Sequence, residues 1–396
     1  MIGRFACLLL LTLVLLAPTD AHADGNPWSE ARKIGRSGDS AIAASGQHVY
    51  VAYGSGPVFI VRSDDVGATF SSPARMADWG DMHETDSLAA DGNVVVGITF
   101  APKGDRRDWC CARHLGNLML YRSTDFGVSW LHPFKLTSAG GAFRVSVAMS
   151  LPYVHVVWSD FRDGRWAIYY RRSTDGGATW EAEQELMPPG LEETNRPQIA
   201  VLGKTVHVVW MDNRDGNGQC YIIPHCTEVY YRRSTDAGAT WEQPRRMTFN
   251  DQPRLAGRPD VAAFGDGSIF IAYDQDLKLE KGGVQHVLRS FDGGKTWLPP
   301  LQLGKSSEET HPAAAALRQD GVSAWFKQES RLNLGLRARL TQDSGRTWLK
   351  EEKVSVSDRP ASTPHVAIAG GFLHVVWLEG DSIMYRRRAL TSKPAN

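Results

Sequence analysis

One kind of apolar string recurs along the chain. It reads His-Val-Tyr-Val-Ala-Tyr at 48–53 and Val-Val-Val-Gly-Ile-Thr-Phe at 94–100. It returns as Val-His-Val-Val-Trp at 154–158 and at 206–210, Ile-Phe-Ile-Ala-Tyr at 269–273, Val-Ser-Ala-Trp-Phe at 322–326 and Leu-His-Val-Val-Trp at 373–377. Each string is short and rich in β-branched and aromatic residues, which predicts a buried strand rather than a helix. A second short apolar segment closed by glycine precedes it, as in Pro197–Gly203 and Pro259–Gly265. The chain therefore repeats a unit of several strands separated by turn signals.

The turns repeat more strictly than the strands. Ser-x-Asp-x-Gly-x-Thr-Trp stands at Ser173-Asp175-Gly177-Thr179-Trp180 and at Ser234-Asp236-Gly238-Thr240-Trp241. Close variants begin at Ser63, Ser123, Ser290 and Thr341, so successive copies lie 50 to 61 residues apart. That spacing fits one four-stranded propeller blade per copy. The Asp is expected to cap amides of its own turn and the Gly to take a positive φ, with the Trp packing into the blade. Six copies cannot converge on one ligand, so the box is read as frame rather than chemistry.

These observations predict an all-β fold, a seven-bladed β-propeller, with six blades as the alternative. The seventh unit ends at Ser382–Leu390, where the box has decayed and a strand is missing. Asn26–Gly35, with Trp28 in place of the box tryptophan, supplies it, so N- and C-terminal strands would close one blade. Closure removes the exposed edges of a linear array.

The start of the chain is of another kind. Arg4, an apolar run from Phe5 to Ala17 and Ala21-His22-Ala23 form the pattern of a signal peptide cut before Asp24. The expected organisation is a 1–23 leader and a single propeller domain over 24–396, exported to the periplasm or beyond the cell. No later run is apolar and long enough to span a membrane. Forty-four basic and forty-four acidic residues balance, which argues against a nucleic-acid binder. Cys110, Cys111, Cys220 and Cys226 would remain after cleavage, and an oxidising compartment predicts disulfides whose pairing three arrangements satisfy. Metal binding with His114 and His225 is the alternative, but no zinc spacing is met. No cofactor is implied.

The boxes resemble the Asp-boxes of sialidases and other bacterial-neuraminidase-repeat propellers, over essentially the whole chain after the leader. That resemblance implies the propeller and a glycosidase-like activity. It also extends to sugar lyases and to non-catalytic receptors and assembly factors. Aligning the units on their apolar strings places Asp39, Thr85, Arg144, Arg196, Arg258, His311 and Thr363 at the funnel entrance. Arg144, Arg196 and Arg258 would bind a carboxylate, phosphate or sulfate through planar forks, with His311 beside them. Sialidases are similar in holding their substrate carboxylate with three arginines. The plainer reading makes these arginines glue to acids such as Asp160, Asp212 and Asp274.

Asp160 and Asp212, in Trp-Ser-Asp-Phe-Arg-Asp-Gly and Trp-Met-Asp-Asn-Arg-Asp-Gly, are candidate acid/base residues. Because the pattern repeats, the plainer reading is that they cap Asx-type turns, with Arg162 or Arg214 bridging to the next blade. Glu84 and Asp86 of His-Glu-Thr-Asp are further catalytic candidates, or solvated loop acids. The chain departs from sialidases in lacking Phe-Arg-Ile-Pro, having Phe143-Arg144-Val145 in the third unit instead, and in showing no Tyr/Glu nucleophile pair. The expected function is a secreted propeller acting on acidic glycans as a glycosidase. The alternatives are an anionic-polysaccharide lyase and a non-catalytic scaffold. Oligomeric state is not readable.

Overall fold

The computed structural model describes residues 27–36, 38–81, 87–102, 116–187, 194–214, 227–249, 256–276, 283–306, 311–330, 333–357 and 359–390. Glu84, Asp86, Thr85, residues 1–23 and all four later cysteines lie outside the described residues. Among the described residues every regular element is a strand, and none is a helix able to cross a membrane.

The strands form antiparallel up-and-down meanders. Thr194–Leu202, Thr205–Asp212, Glu228–Ser234 and Arg245–Arg246 make one four-stranded sheet. Three further four-stranded sheets repeat that order, and a fifth sheet holds twelve strands. The large sheet narrows to single residue pairs at Asp81↔Phe100 and at Ala142↔Gly116. The innermost strands neighbour one another in a closed ring. It runs from Ser40–Ser45 through Leu88–Asp91, Ala142–Ser150, Thr194–Leu202, Ala256–Ala263, Ala313–Leu317 and Ala361–Ala369 back to Ser40–Ser45. This is a β-propeller.

Its ends meet as expected. Arg32–Arg36 pairs antiparallel with Ser382–Ala389, Arg32 opposite Tyr385 and Lys33 opposite Met384, and Trp28 bridges Arg388. Trp28 donates to Glu352 at 2.8 Å, and Arg388 pairs with the same carboxylate. The join is thus tied to the preceding sheet, which leaves no free edge between the chain ends.

The core sits between neighbouring meanders. Val157, Ile168, Tyr170 and Leu186 of one pack against Ile199, Val206, Val208 and Trp210 of the next. Trp158, Trp210 and Trp377, each the end of an apolar string, and Trp325, one place before the end of another, are fully buried. An aromatic of this size removes 150–250 Å² from water, roughly 4–6 kcal/mol at 25 cal/mol per Å². Such repeated anchors outweigh any single surface contact.

The repeated turns behave as expected, with one addition. In all six copies the first hydroxyl accepts the Gly amide, and one Asp oxygen accepts the Thr or Ser amide four residues on. The other Asp oxygen accepts that residue's hydroxyl, as at 2.6 Å between Thr240 and Asp236. Those hydroxyl and amide donors hold the Asp236 and Asp175 carboxyls down at about 2. The addition is that the turn belongs to an interface. Trp241 meets Tyr170 of the preceding meander edge-on at 5.0 Å, and Arg172 reaches the Ala237 carbonyl at 2.7 Å. The box tryptophan therefore packs across to the neighbouring sheet as well as onto its own.

Candidate functional site

The cavity mouth takes the same position from five of the units. Arg144, Arg196, Arg258, His311 and Thr363 all have positive φ, between 43° and 53°. Such a backbone is uncommon for any non-glycine residue and an outlier for a β-branched one. A register shift accompanies it in each resolved pairing: between Phe143 and Val145, Asn195 and Gln198, Gly257 and Asp260, and Ser362 and His365. The innermost strand bulges at the same place and turns that side chain out of the ladder. Proline follows in four of the five, and the proline ring disfavours the helical region for the residue before it.

All five residues line one solvent-open concavity. Gln198, Asp260 and His365 line it too. The alignment on apolar strings thus predicted five cavity residues by number. It missed Gln198, Asp260 and His365, which stand two places after the aligned position. Their signal was present in the repeated x-Pro-x tripeptides Arg196-Pro197-Gln198, Arg258-Pro259-Asp260 and Thr363-Pro364-His365. Asp39, at the equivalent place in the first unit, is not among the lining residues; its carbonyl accepts the Gly54 amide.

The three arginines are held differently. Arg258 pairs with Asp274 of its own meander at 3.1 Å. Arg144 lies over the Phe143 ring at 4.9 Å, a cation–π contact. The Arg196 amide is accepted by the Asn195 side chain at 2.8 Å, which fixes the backbone at the bulge.

Asp160 and Asp212 do not line the cavity. Both are fully buried. Asp160 accepts the Trp158 indole at 2.9 Å, the Arg162 amide at 2.9 Å and the Arg162 guanidinium at 2.6 Å. Arg162 continues to Glu183 at 2.6 Å and to Ser138, on the connection from the preceding meander rather than toward the next. Asp212 repeats the arrangement, receiving Trp210, Thr194 and two donors of the Arg214 side chain. Glu379 is the counterpart beside Trp377, at 3.1 Å. Buried charges persist when paired and hydrogen-bonded in this way. No cluster of three metal-ligating side chains occurs among the described residues.

No family model matches the chain. In sequence it is similar to a sialidase of Bacteroides fragilis, 27% identical over 225 residues, which is 50% of this chain and 39% of that protein. The chain therefore matches well under half the length of that relative. In structure it is similar to an ulvan lyase of polysaccharide lyase family 25. The TM-score is 0.60 at 12% identity, covering 91% of this chain and 96% of the other. It is also similar to the α-L-arabinofuranosidase Arb93A of Fusarium graminearum, with a TM-score of 0.51 at 15% identity over 76% and 90% of the two chains. At these identities the structural likenesses speak for the fold. The chain is a β-propeller, similar over half its length to a sialidase and in fold to other carbohydrate-active enzymes.

Proposed function

We propose that the chain is an exported propeller of seven blades that binds an acidic glycan in the funnel cavity. On this reading residues 1–23 are a leader and 24–396 one domain of Asp-box repeats. The count of seven is supported by the closed ring of innermost strands and by the two single-pair links in the twelve-stranded sheet. The observation that carries the functional reading is the convergence of Arg144, Arg196 and Arg258, from three consecutive units, on one concavity. Guanidinium forks in a concave, partly desolvated site favour carboxylate or sulfate over neutral sugar. His311, beside them, supplies a further donor. One structural neighbour was solved bound to -[GlcA(1-4)Rha3S]-, a saccharide of acidic character.

For the reaction, hydrolysis needs two carboxyl groups flanking the bond. Asp260 is the carboxylate among the described lining residues, and Asp160 and Asp212 serve as framing caps on this reading. A hydrolytic pair would draw its second member from Glu84 or Asp86. The second reading is β-elimination. His311 or His365, both in the cavity, would take the proton α to a carboxylate whose developing charge the arginines stabilise. Incubation with uronate-containing polysaccharides tests both. New reducing ends without ultraviolet absorbance mean hydrolysis, and equal amounts of a conjugated double bond mean elimination. Binding without either product supports a non-catalytic scaffold. No binding of any acidic glycan refutes the proposal.

A further inference from the structure

Three aromatic side chains stand beside the funnel cavity but outside its lining. The Trp166 ring lies 5.1 Å from that of Phe161 and 5.7 Å from that of Phe143, both pairs tilted. All three residues are partly exposed. Phe143 precedes Arg144, whose guanidinium lies over its ring, so the aromatic shelf adjoins the cavity wall. The backbone holds the shelf in place. The Phe161 amide donates to the carbonyl of Gly141, just before the strand that carries Arg144, at 2.8 Å. The Gly164 amide closes the turn onto the Phe161 carbonyl at 3.2 Å. Arg162, between them, is clasped by Asp160 and Glu183.

The fold does not call for aromatics at these places. Ala142 and Asp160 face each other as do Thr194 and Asp212, Ala256 and Gln275, and Ala361 and Glu379. The residues that follow them are Phe143 and Phe161 in this unit. In the others they are Asn195 and Asn213, Gly257 and Asp276, and Ser362 and Gly380. Small or polar residues therefore suffice for the propeller, and apolar rings left partly in water mark a binding surface.

We propose that Phe143, Phe161 and Trp166 form a second subsite that stacks a sugar ring next to the acidic one, so that the ligand is an oligosaccharide rather than a free acidic monosaccharide. This rests on the anion-site reading above and names the ligand class for it. A pyranose presents axial C–H groups on one face, which suit the negative face of an aromatic ring. Stacking does not depend on charge, so a neutral neighbouring sugar is accepted. The shelf is fixed before the ligand arrives, which limits the ordering that binding must impose.

The test is titration calorimetry of wild type, Phe161→Ala, Trp166→Leu and Arg196→Ala, with thermal melts of each. The ligands are glucuronic acid with glucuronosyl-xylotriose, which share one carboxylate, and galacturonic acid with trigalacturonic acid. Wild type is expected to bind an oligosaccharide about tenfold tighter than its own monosaccharide, the order of one aromatic contact. Phe161→Ala and Trp166→Leu should remove most of that gain and leave monosaccharide affinity within about twofold. Arg196→Ala should weaken monosaccharide and oligosaccharide alike. Equal wild-type binding of monosaccharide and oligosaccharide overturns the subsite while leaving the anion site standing, and that comparison needs no variant. So do folded shelf variants that keep the full gain, or that weaken both ligands alike. If wild type binds none of the four compounds, the anion site itself is refuted, and the inference with it.

Discussion

The hydroxyl of Tyr170 occupies the space that a side chain at Gly238 would need. A Cβ on Gly238 would collide with that oxygen, and the glycine also has φ +77°. Tyr170 is on one sheet and Gly238 in the box turn of the next. The same pairing joins Tyr231 to Gly294 and, across the chain ends, Tyr385 to Gly67. Behind each tyrosine stands a buried histidine: His155 at 2.7 Å, His207 at 2.8 Å and His374 at 2.8 Å. The box glycine is thus required twice, by its own backbone and by its neighbour's ring.

Gly238→Ala should therefore cost more than an ordinary turn substitution. Strain at positive φ plus overpacking amounts to about 2–4 kcal/mol. Gly203→Ala is the control, because it has φ +57° but nothing within 4 Å; strain alone should cost about 1 kcal/mol. Denaturant midpoints distinguish them, and equal losses would contradict the tyrosine contact.

Asp236→Ala removes the acceptor for the Thr240 amide and hydroxyl. In a turn open to solvent the loss should be about 1 kcal/mol. Affinity for any acidic glycan should not change, since Asp236 is not a cavity residue. Loss of binding with a normal melt would mean that the boxes take part in recognition.

The buried histidines predict acid sensitivity. Burial, with Arg172 and Arg233 nearby, lowers His155 and His207 to about 3 from 6.5. Burial lowers His374 to about 4. In the unfolded chain they protonate near the ordinary value, so the unfolded state binds more protons below it. Stability should fall as pH drops from about 6.5 toward 3–4, by about 1.4 kcal/mol per histidine per pH unit. The box carboxylates, held near 2, extend the loss between about 4 and 2. Melting temperatures from pH 8 to pH 3 measure this, and His207→Gln should flatten the profile. A stability flat down to pH 4 would contradict it.

The propeller was legible because each apolar string is a buried central strand and each box a self-contained turn, both local patterns. Five mouth residues, from Arg144 to Thr363, followed from aligning those strings. The interface role of the box was not legible, since Tyr170 and Gly238 are far apart in sequence and meet only once two sheets stack. Asp160 and Asp212 carry the residue type of an acid/base catalyst. Only the fold reveals the Trp158–Asp160–Arg162 clasp that occupies one of them. The bulges were hidden as well, because nothing in arginine or threonine announces a positive φ.

The central claim is that Arg144, Arg196 and Arg258 act on one anionic group. Calorimetric titration of wild type, the three single Arg→Ala variants and a double variant against a uronate oligosaccharide and its neutral, carboxyl-reduced counterpart tests it most directly. Each single change should weaken binding of the acidic ligand by about 1–3 kcal/mol, the order of a charge-assisted hydrogen bond. The double change should lose less than the sum, because both act on the same group. The neutral ligand should bind poorly throughout. Equal binding of acidic and neutral ligands, or strictly additive losses, would contradict a shared anion site.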